Sequence, residues 1–357
     1  MSWLVLALAA VLFFLAIWIV VPAPTMTLLT FSVGAPEVSP LLLGPALITI
    51  LLAWRRRRDR AGRVALGLSA VASILFAMPL AQYPRSAPLS ATTLLAGVDM
   101  GQSRLIRGVE FGAPGGVALT LDIYQPMTNG PHPAIVQIYG GAWQRGVPGN
   151  DPVFAARFAS QGYVVFAIDY RHAPAWKWPA QLDDVQLALA WVREHGQKYG
   201  ADPSKLALFG RSAGSQLAMV AGLQDPGVSA VISYYGPVNL TQGWRQPPRP
   251  DPIGSRSVLE ALLGGTPDQM PERYQHASPI TYVSARGPRT LLIYGSHDHI
   301  VQSRYGRQLH GALVSAGATS ELIEIPWADH AFDALPAGLS GQLALFHTER
   351  FLADVFK

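Results

Sequence analysis

Long apolar stretches separated by short polar segments make up the first quarter of this 357-residue chain. Residues 3–21, 38–54 and 64–81 are runs of nineteen, seventeen and eighteen residues without a charged side chain. An α-helix rises about 1.5 Å per residue, so each run covers roughly the hydrocarbon thickness of a bilayer. The pattern therefore predicts three transmembrane helices, at 3–21, 38–54 and 64–81.

After residue 84 the pattern changes to short apolar runs that alternate with longer stretches of helical spacing. Such alternation is typical of an α/β fold, in which a mostly parallel central sheet has helices on both faces. We therefore expect a membrane anchor at 1–84 and a globular domain at 85–357, with a small cap-like insertion near 242–266. The predicted strands lie at 104–111, 117–124, 134–138, 164–168, 206–209, 230–234, 290–294 and 321–325. The predicted helices lie near 152–161, 180–199, 213–223, 256–263 and 302–316.

The charged residues are few and unevenly distributed. They make up 14% of the chain, against about 25% in a typical soluble domain. The formal net charge of +4 lies in residues 1–84, where six arginines stand against Glu37 and Asp59, and residues 85–357 are neutral. A nucleic-acid interpretation of the basic cluster at 55–63 is disfavoured because this cluster lies between two apolar runs, which is typical of a cytoplasmic loop. No nucleic-acid partner is therefore predicted.

A cytoplasmic loop at 55–63 also predicts the orientation of the chain. The third apolar run then returns to the outer face, and everything after about Gln82 lies outside the cytoplasm. A cleaved signal peptide in place of the first helix is an alternative, although no Lys or Arg precedes that run and its length exceeds the usual range. Both interpretations predict an integral membrane protein in contact with the lipid bilayer. The absence of cysteine excludes disulfides, thiol catalysis and cysteine–zinc sites.

A G-x-S-x-G motif at residues 210–214 is the strongest chemical signal in the sequence. It follows the predicted strand at 206–209 and precedes the predicted helix at 213–223. A catalytic serine needs this context, since its hydroxyl must be exposed on a sharp turn between a strand and a helix. Chance occurrence in a chain with 34 glycines is the alternative, but the flanking elements favour Ser212 as a nucleophile.

A serine nucleophile requires a general base and a carboxylate that orients the base. Two loops after predicted strands supply them in the order Ser, Asp, His. Asp298 follows the strand at 290–294 and His330 follows the strand at 321–325. We therefore predict Asp298 as the acid and His330 as the base. Asp329 is a weaker candidate, because neighbours in sequence rarely form the required side-chain hydrogen bond.

A metal site is the alternative interpretation of the loop that contains Asp298, because His297 and His299 flank this residue. Adjacent residues on an extended loop point in alternating directions, and no further cluster of ligands completes a site. No metal and no cofactor are therefore predicted.

A glycine-containing segment after the strand at 134–138 is suited to bind an oxyanion. Residues without large side chains allow consecutive backbone N–H groups to converge on the negative charge of a tetrahedral intermediate. The alternative is a plain glycine turn that closes the strand. The predicted oxyanion-hole residues are Gly140, Gly141, Ala142 and Ala213.

These motifs, in this order, resemble the α/β-hydrolase fold. More narrowly, they are similar to serine carboxylesterases and lipases of the hormone-sensitive-lipase-like or bacterial feruloyl- or acetyl-esterase-like type. The resemblance covers about residues 104–357 and implies the same roles for Ser212, Asp298 and His330. It also includes a D-Y-R segment at 169–171. The sequence departs from the family at Tyr139, where the family usually has a histidine that orders the loop.

The resemblance implies an enzyme that cleaves carboxylic ester bonds in small-molecule or lipid-like substrates. An exopeptidase or an acyltransferase with the same triad is an alternative, but no charged pair that would grip a peptide terminus is identifiable. A catalytically silent binding module is a third interpretation, disfavoured because nucleophile, base, acid and oxyanion hole are all represented.

Overall fold

Eight strands form a single sheet in the computed structural model, which describes residues 2–357. They are β1 (Ser103–Gly112), β2 (Leu119–Pro126), β3 (His132–Ile138), β4 (Val164–Ile168), β5 (Ala201–Arg211), β6 (Ala230–Tyr234), β7 (Arg289–Gly295) and β8 (Ser320–Ile325). The order across the sheet is β1-β2-β4-β3-β5-β6-β7-β8. The pairs β1–β2 and β2–β4 are antiparallel, and the other pairs are parallel. Helices cover both faces, which confirms the predicted fold class.

The central strands are buried on both faces, and this explains why their sequences are continuous apolar runs. Every residue of β4 and β6 is buried, and both strands have the predicted bounds. The strand β5 is longer than its predicted core at 206–209 because its first residues also pair with the start of β3. The carboxyl ends of these parallel strands meet at one edge of the sheet, where functional loops collect.

Four helices occupy most of residues 2–82. They are α1 (Ser2–Ile17), α2 (Met26–Glu37), α3 (Ser39–Arg55) and α4 (Arg60–Gln82). The last of these packs against both α1 and α3. Three of the helices overlap the predicted apolar runs, whereas α2 was not predicted. The side chain of Thr25 caps α2 by accepting a hydrogen bond from the Leu28 N–H at 3.3 Å.

The membrane-spanning capacity of these helices is limited. Among the described residues, α4 is the one helix that is long and apolar enough to cross a bilayer by itself. The bent pair of α2 and α3, with an angle of 85°, would form a second span, and α1 is shorter. One or two such helices are weak evidence for a membrane anchor, so the predicted set of three transmembrane helices is not confirmed.

The other helices lie around the sheet or at its edges. They are α5 (Ala91–Ala96), α6 (Pro152–Ser160), α7 (Ala180–His195), α8 (Ala213–Gln224), α9 (Leu240–Arg245), α10 (Ser255–Leu263), α11 (Pro271–His276), α12 (Arg304–Ser315) and α13 (Leu339–Val355). The long helix α13 was not predicted, and it packs against β6, β7 and α2. The predicted insertion near 242–266 contains α10 and the end of α9. That this insertion forms a cap stays a prediction.

Candidate active site

Ser212 lies on the turn between β5 and α8, as the motif predicts. Its backbone has φ 49° and ψ −118°, a conformation that non-glycine residues rarely adopt. Only glycine fits two positions before it and two positions after it. A Cβ on Gly210 would lie 2.3 Å from the Gly214 carbonyl oxygen, and one on Gly214 would lie 2.3 Å from the Ile138 carbonyl oxygen. The tight contacts hold the turn and leave Ser212 partly exposed.

The structure brings Ser212, His330 and Asp298 together in one chain of hydrogen bonds. The His330 Nε2 atom lies 3.0 Å from Ser212 Oγ, and His330 Nδ1 lies 2.8 Å from Asp298 Oδ2. The other carboxylate oxygen of Asp298 accepts hydrogen bonds from the backbone N–H groups of Ile300 and Val301, at 2.8 and 2.7 Å. Burial raises the pKa of Asp298, while its bond to His330 opposes that rise. This arrangement suits a serine nucleophile with its base and orienting acid.

Asp329 has different partners. Its Oδ1 atom accepts a hydrogen bond from the His330 backbone N–H at 2.7 Å and lies 3.0 Å from His299 Nδ1. Its Oδ2 atom accepts a hydrogen bond from the Ser32 hydroxyl in α2. Asp329 therefore supports the loop of the base and is not the carboxylate on the His330 ring.

The two histidines beside Asp298 turn away from it, toward the N-terminal part of the chain. The His297 Nδ1–H donates to the Ile19 carbonyl oxygen at 3.0 Å, and the His299 Nε2–H donates to that of Ala23 at 3.2 Å. Among residues 2–357, no group of three or more histidines and carboxylates is arranged to hold a metal ion. These contacts give His297 and His299 a structural role in this arrangement.

The glycine segment after β3 lies over the nucleophile. Gly140, Gly141 and Ala142 line the same cavity as Ser212, and Ala213 directly follows Ser212 at the start of α8. A Cβ on Gly140 would lie 2.9 Å from the Arg211 carbonyl oxygen, so the segment touches the nucleophile turn closely. The backbone of this segment is thus near enough to the reacting oxygen for its N–H groups to serve as an oxyanion hole.

Tyr139 occupies the place where the carboxylesterases and lipases that the sequence resembles usually have histidine. Its ring stacks on Tyr170 with 4.5 Å between centroids, and its hydroxyl donates a hydrogen bond to Asp169. The same hydroxyl oxygen lies 2.9 Å from His172 Nε2. Burial raises the pKa of Tyr139, which keeps the phenol neutral. Tyr139 therefore orders the loop through its hydroxyl and its ring.

A buried ionic cluster beside the nucleophile was missed by the sequence analysis. The Arg211 guanidinium binds the carboxylate of Asp333 and lies 3.2 Å from an Asp151 oxygen. The Tyr235 hydroxyl also donates to Asp333, and its ring lies 4.6 Å from that of His330. Burial opposes the charge of Arg211, but the two carboxylates outweigh it and raise its pKa. Asp333 lies three residues after His330, a proximity that could have drawn attention to it.

The cavity over Ser212 has a volume of about 350 Å³. Its polar side is formed by Ser212, His330 and the glycine segment, together with Arg145, Asn150, Asp151 and Arg211. Two of its apolar residues, Met26 and Leu29, belong to α2, and two others are Ile253 and Ile300. No sequence signal indicated that residues before 84 contribute to the site.

Comparisons with known proteins agree with this geometry. The BD-FAE family model matches residues 121–313. The esterase LipC of Mycobacterium tuberculosis is 30% identical over 337 residues, which cover 87% of this chain and 81% of LipC. The esterase LipQ of the same organism is 32% identical over 263 residues, which cover 68% of this chain and 61% of LipQ.

Solved structures give the same result. Esterase Est2 of the Planctomycetes species Thermogutta terrifontis, with propionate bound, has a TM-score of 0.58 and 26% identity, and the match covers 73% of this chain and 97% of Est2. A bacterial heroin esterase shares the fold with a TM-score of 0.63 at 21% identity, over 74% of this chain and 88% of that chain. The chain therefore belongs to the BD-FAE family, has an α/β-hydrolase fold and is a carboxylic ester hydrolase.

Proposed function

We propose that Ser212 is the nucleophile of this esterase, with His330 as its general base and Asp298 as the orienting acid. The 3.0 Å contact between Ser212 Oγ and His330 Nε2 is the observation that carries this proposal. In the first half of the reaction His330 removes the proton from the Ser212 hydroxyl, and the Ser212 Oγ atom attacks the carbonyl carbon of the ester. The imidazolium that forms is stabilised by the Asp298 carboxylate.

Negative charge then develops on the former carbonyl oxygen. The backbone N–H groups of Gly141, Ala142 and Ala213 would stabilise it, and Gly140 allows the segment to approach Ser212. As the intermediate collapses, the ester C–O bond breaks and His330 gives its proton to the leaving alcohol. A water molecule, deprotonated by the same histidine, attacks the acyl-enzyme, releases the carboxylic acid and restores Ser212.

We further propose that residues 1–84 anchor the enzyme in a membrane and that the domain at 85–357 acts on small-molecule or lipid-like esters at the outer face. The apolar helix α4 supports anchoring. The basic loop before it supports the orientation, since clusters of arginine remain in the cytoplasm. Ester hydrolysis itself does not depend on this part of the proposal.

Replacing Ser212 tests the mechanism. We expect purified Ser212→Ala protein to hydrolyse p-nitrophenyl acyl esters with kcat reduced on the order of 10⁶-fold, because the nucleophile is absent. A fluorophosphonate probe should label the parent and not the variant. The control is Ser204→Ala, a serine on the exposed start of β5, which should retain both properties. Parent-like hydrolysis by Ser212→Ala would exclude this serine as the nucleophile.

A further inference from the structure

Residues 19–37, which we call the docking segment, lie against the catalytic half of the chain. Two contacts hold the start of this segment on the loop of Asp298. The carbonyl oxygens of Ile19 and Ala23 accept hydrogen bonds from His297 and His299, at 3.0 and 3.2 Å. Because carbonyl oxygens only accept, each ring must carry its proton on the nitrogen that faces the segment.

The helix α2, which forms most of the docking segment, is held on the loop of the general base. The Ser32 hydroxyl donates to Asp329, and the same carboxylate accepts the His330 backbone N–H at 2.7 Å. Both Ser32 and Asp329 are buried. A single carboxylate thus connects α2 to the backbone of the residue that faces Ser212.

The end of α2 is buried against the C-terminal helix. The Glu37 carboxylate is fully buried and accepts a hydrogen bond from the Ser340 backbone N–H at 2.7 Å. A Cβ on Gly338 would lie 2.5 Å from a Glu37 oxygen, so glycine is needed for this close approach. The docking segment is therefore attached at both of its ends and in its middle.

This attachment places an apolar face of α2 over the nucleophile. Met26 and Leu29 are three residues apart, so they lie on the same side of the helix. Both line the cavity that contains Ser212 and His330, with Ile253 and Ile300. Leu29 is only 8% exposed, whereas Met26 is 42% exposed. Leu29 therefore faces into the packed part of the site and Met26 lies nearer to its mouth.

We propose that α2 is a wall of the substrate-binding site and that Met26 and Leu29 select the length of the apolar chain of the ester. This inference rests on the proposed function of Ser212. Burial of a hydrocarbon chain against aliphatic side chains is favourable because it removes apolar surface from water. These side chains offer nothing to a charged group. The preferred substrates are accordingly esters with an uncharged alkyl chain, and chain length is limited by the space that Leu29 leaves.

The experiment uses the full chain and two series of chromogenic or coupled assays. One series varies the acyl chain of p-nitrophenyl esters from acetyl to decanoyl, and the other varies the alkyl group of acetate esters over the same range. We expect Leu29→Ala, which enlarges the enclosed part of the site, to raise kcat/KM for the longest chains at least tenfold relative to the acetyl or methyl ester. Met26→Ala removes apolar cover at the mouth of the site and should lower the same ratio. The series that responds identifies which side of the ester lies against α2.

A larger side chain at position 29 distinguishes selection of chain length from a general loosening of α2. Leu29→Phe should shift the length profile in the other direction, by lowering the kcat/KM for the longest chains at least tenfold relative to that for the shortest ester. Leu28→Ala, a matched change on the same helix that does not line the cavity, should leave both length profiles unchanged. A helix that merely supports the fold would give parallel losses for all chain lengths.

The two proposals fail in different ways. Unchanged profiles in all three Leu29 and Met26 variants, with a parent that labels at Ser212, would exclude α2 as a wall and leave the mechanism intact. A parent that cleaves no ester and takes no fluorophosphonate would refute the mechanism and the wall together.

Discussion

Ser212, Ala142 and Ala331 all have positive φ, at 49°, 54° and 57°. Each is a non-glycine residue in the left-handed half of the φ range, where side chains crowd the backbone at a cost of order 1 kcal/mol. The three strained residues are the nucleophile itself, a residue of the oxyanion segment and the residue directly after His330. The surrounding contacts hold these turns, as when the Ser212 N–H donates to the Tyr234 carbonyl oxygen at 3.0 Å.

Gly141, in the oxyanion segment, has both a backbone conformation and surroundings that exclude a side chain. Its φ is 137°, and a Cβ there would lie 2.0 Å from the Arg145 carbonyl oxygen. We expect Gly141→Ala to displace the predicted oxyanion donors and lower kcat by about 10²–10³-fold, the usual effect of losing one donor. Steady-state hydrolysis of a p-nitrophenyl ester measures this loss.

The control for this change is Gly149→Ala, in the same connection between β3 and α6. A Cβ at Gly149 would make only an ordinary contact of 3.6 Å, with an oxygen of Asp122. Activity within twofold of the parent is expected for it. Equal losses in the two glycine variants would contradict a specific role for Gly141.

The loop between β7 and α12 performs two tasks, of which the sequence indicated only the role of Asp298 beside the base. Asp298 turns inward to the base, while His297 and His299 turn outward to the docking segment. The chain turns at 296–297 and bends at 299–300, so the side chains of this loop diverge. The catalytic acid and the N-terminal part of the chain are therefore coupled through one short loop.

His299 makes this coupling dependent on pH. Burial lowers its pKa, but the hydrogen bond and charge of Asp329, with a further contribution from Asp298, outweigh burial and raise the pKa above 6.5. Protonated His299 thus adds stability that is complete below the unfolded value near 6.5 and is lost as pH rises through the raised folded value. We expect the difference in Tm between the parent and His299→Gln to be largest near pH 6 and to shrink toward pH 9.

His347 provides the control for this titration. Burial, with a smaller contribution from Arg350, lowers its pKa to about 4, so it stays neutral throughout this range. The unfolded chain still binds a proton at this histidine near pH 6, whereas the folded protein does not. The parent should therefore gain Tm relative to His347→Gln as pH rises from 6 toward 8, in the opposite direction to His299→Gln. A difference for His299→Gln that stays constant or grows with pH would show that its charge does not contribute to the stability of the fold.

For the whole molecule, the N-terminal helices differ in what they contact. The helices α1, α3 and α4 pack together and carry large exposed apolar residues, among them Leu4, Ile48 and Ile74. By contrast, α2 contacts both α1 and α3 and the catalytic half, where it packs against α13. The proposed boundary near residue 84 therefore separates sequence regions more sharply than it separates packed units.

The proposed orientation can be tested because the chain contains no cysteine. Single cysteines at Arg58→Cys, in the basic loop, and Ser204→Cys, in the catalytic half, serve as labelling sites. We expect a membrane-impermeant maleimide to label Ser204→Cys in cells with an accessible plasma membrane, and Arg58→Cys only after lysis. The cysteine-free parent is the control for background labelling. The reverse pattern would place the catalytic half in the cytoplasm.

Much of the fold and the candidate triad could be predicted because the relevant signals are local. Buried parallel strands are continuous apolar runs, and β4 and β6 were predicted with their observed bounds. Ser212, Asp298 and His330 each follow a strand of the same sheet, and the carboxyl ends of parallel strands meet at one edge. The structure brings these three side chains into contact, and their catalytic roles stay a prediction.

Other features depend on contacts that leave no local pattern. Ser32 and Asp329 are 297 residues apart, and Glu37 and Ser340 are 303 residues apart. Neither spacing nor periodicity indicates that such residues meet. The same holds for Arg211, whose partners Asp151 and Asp333 come from two other loops.

The sequence by itself thus determined the α/β architecture and indicated the residues of the candidate site, because strand burial and the strand–turn–helix motif are properties of neighbouring residues. Only the tertiary structure decided that α2 lies over Ser212 and adds Met26 and Leu29 to the cavity. The physical reason is that an apolar helix can bury its face in a bilayer or against a protein with similar gain. Specific hydrogen bonds with Asp329 and Ser340 direct this one to the protein.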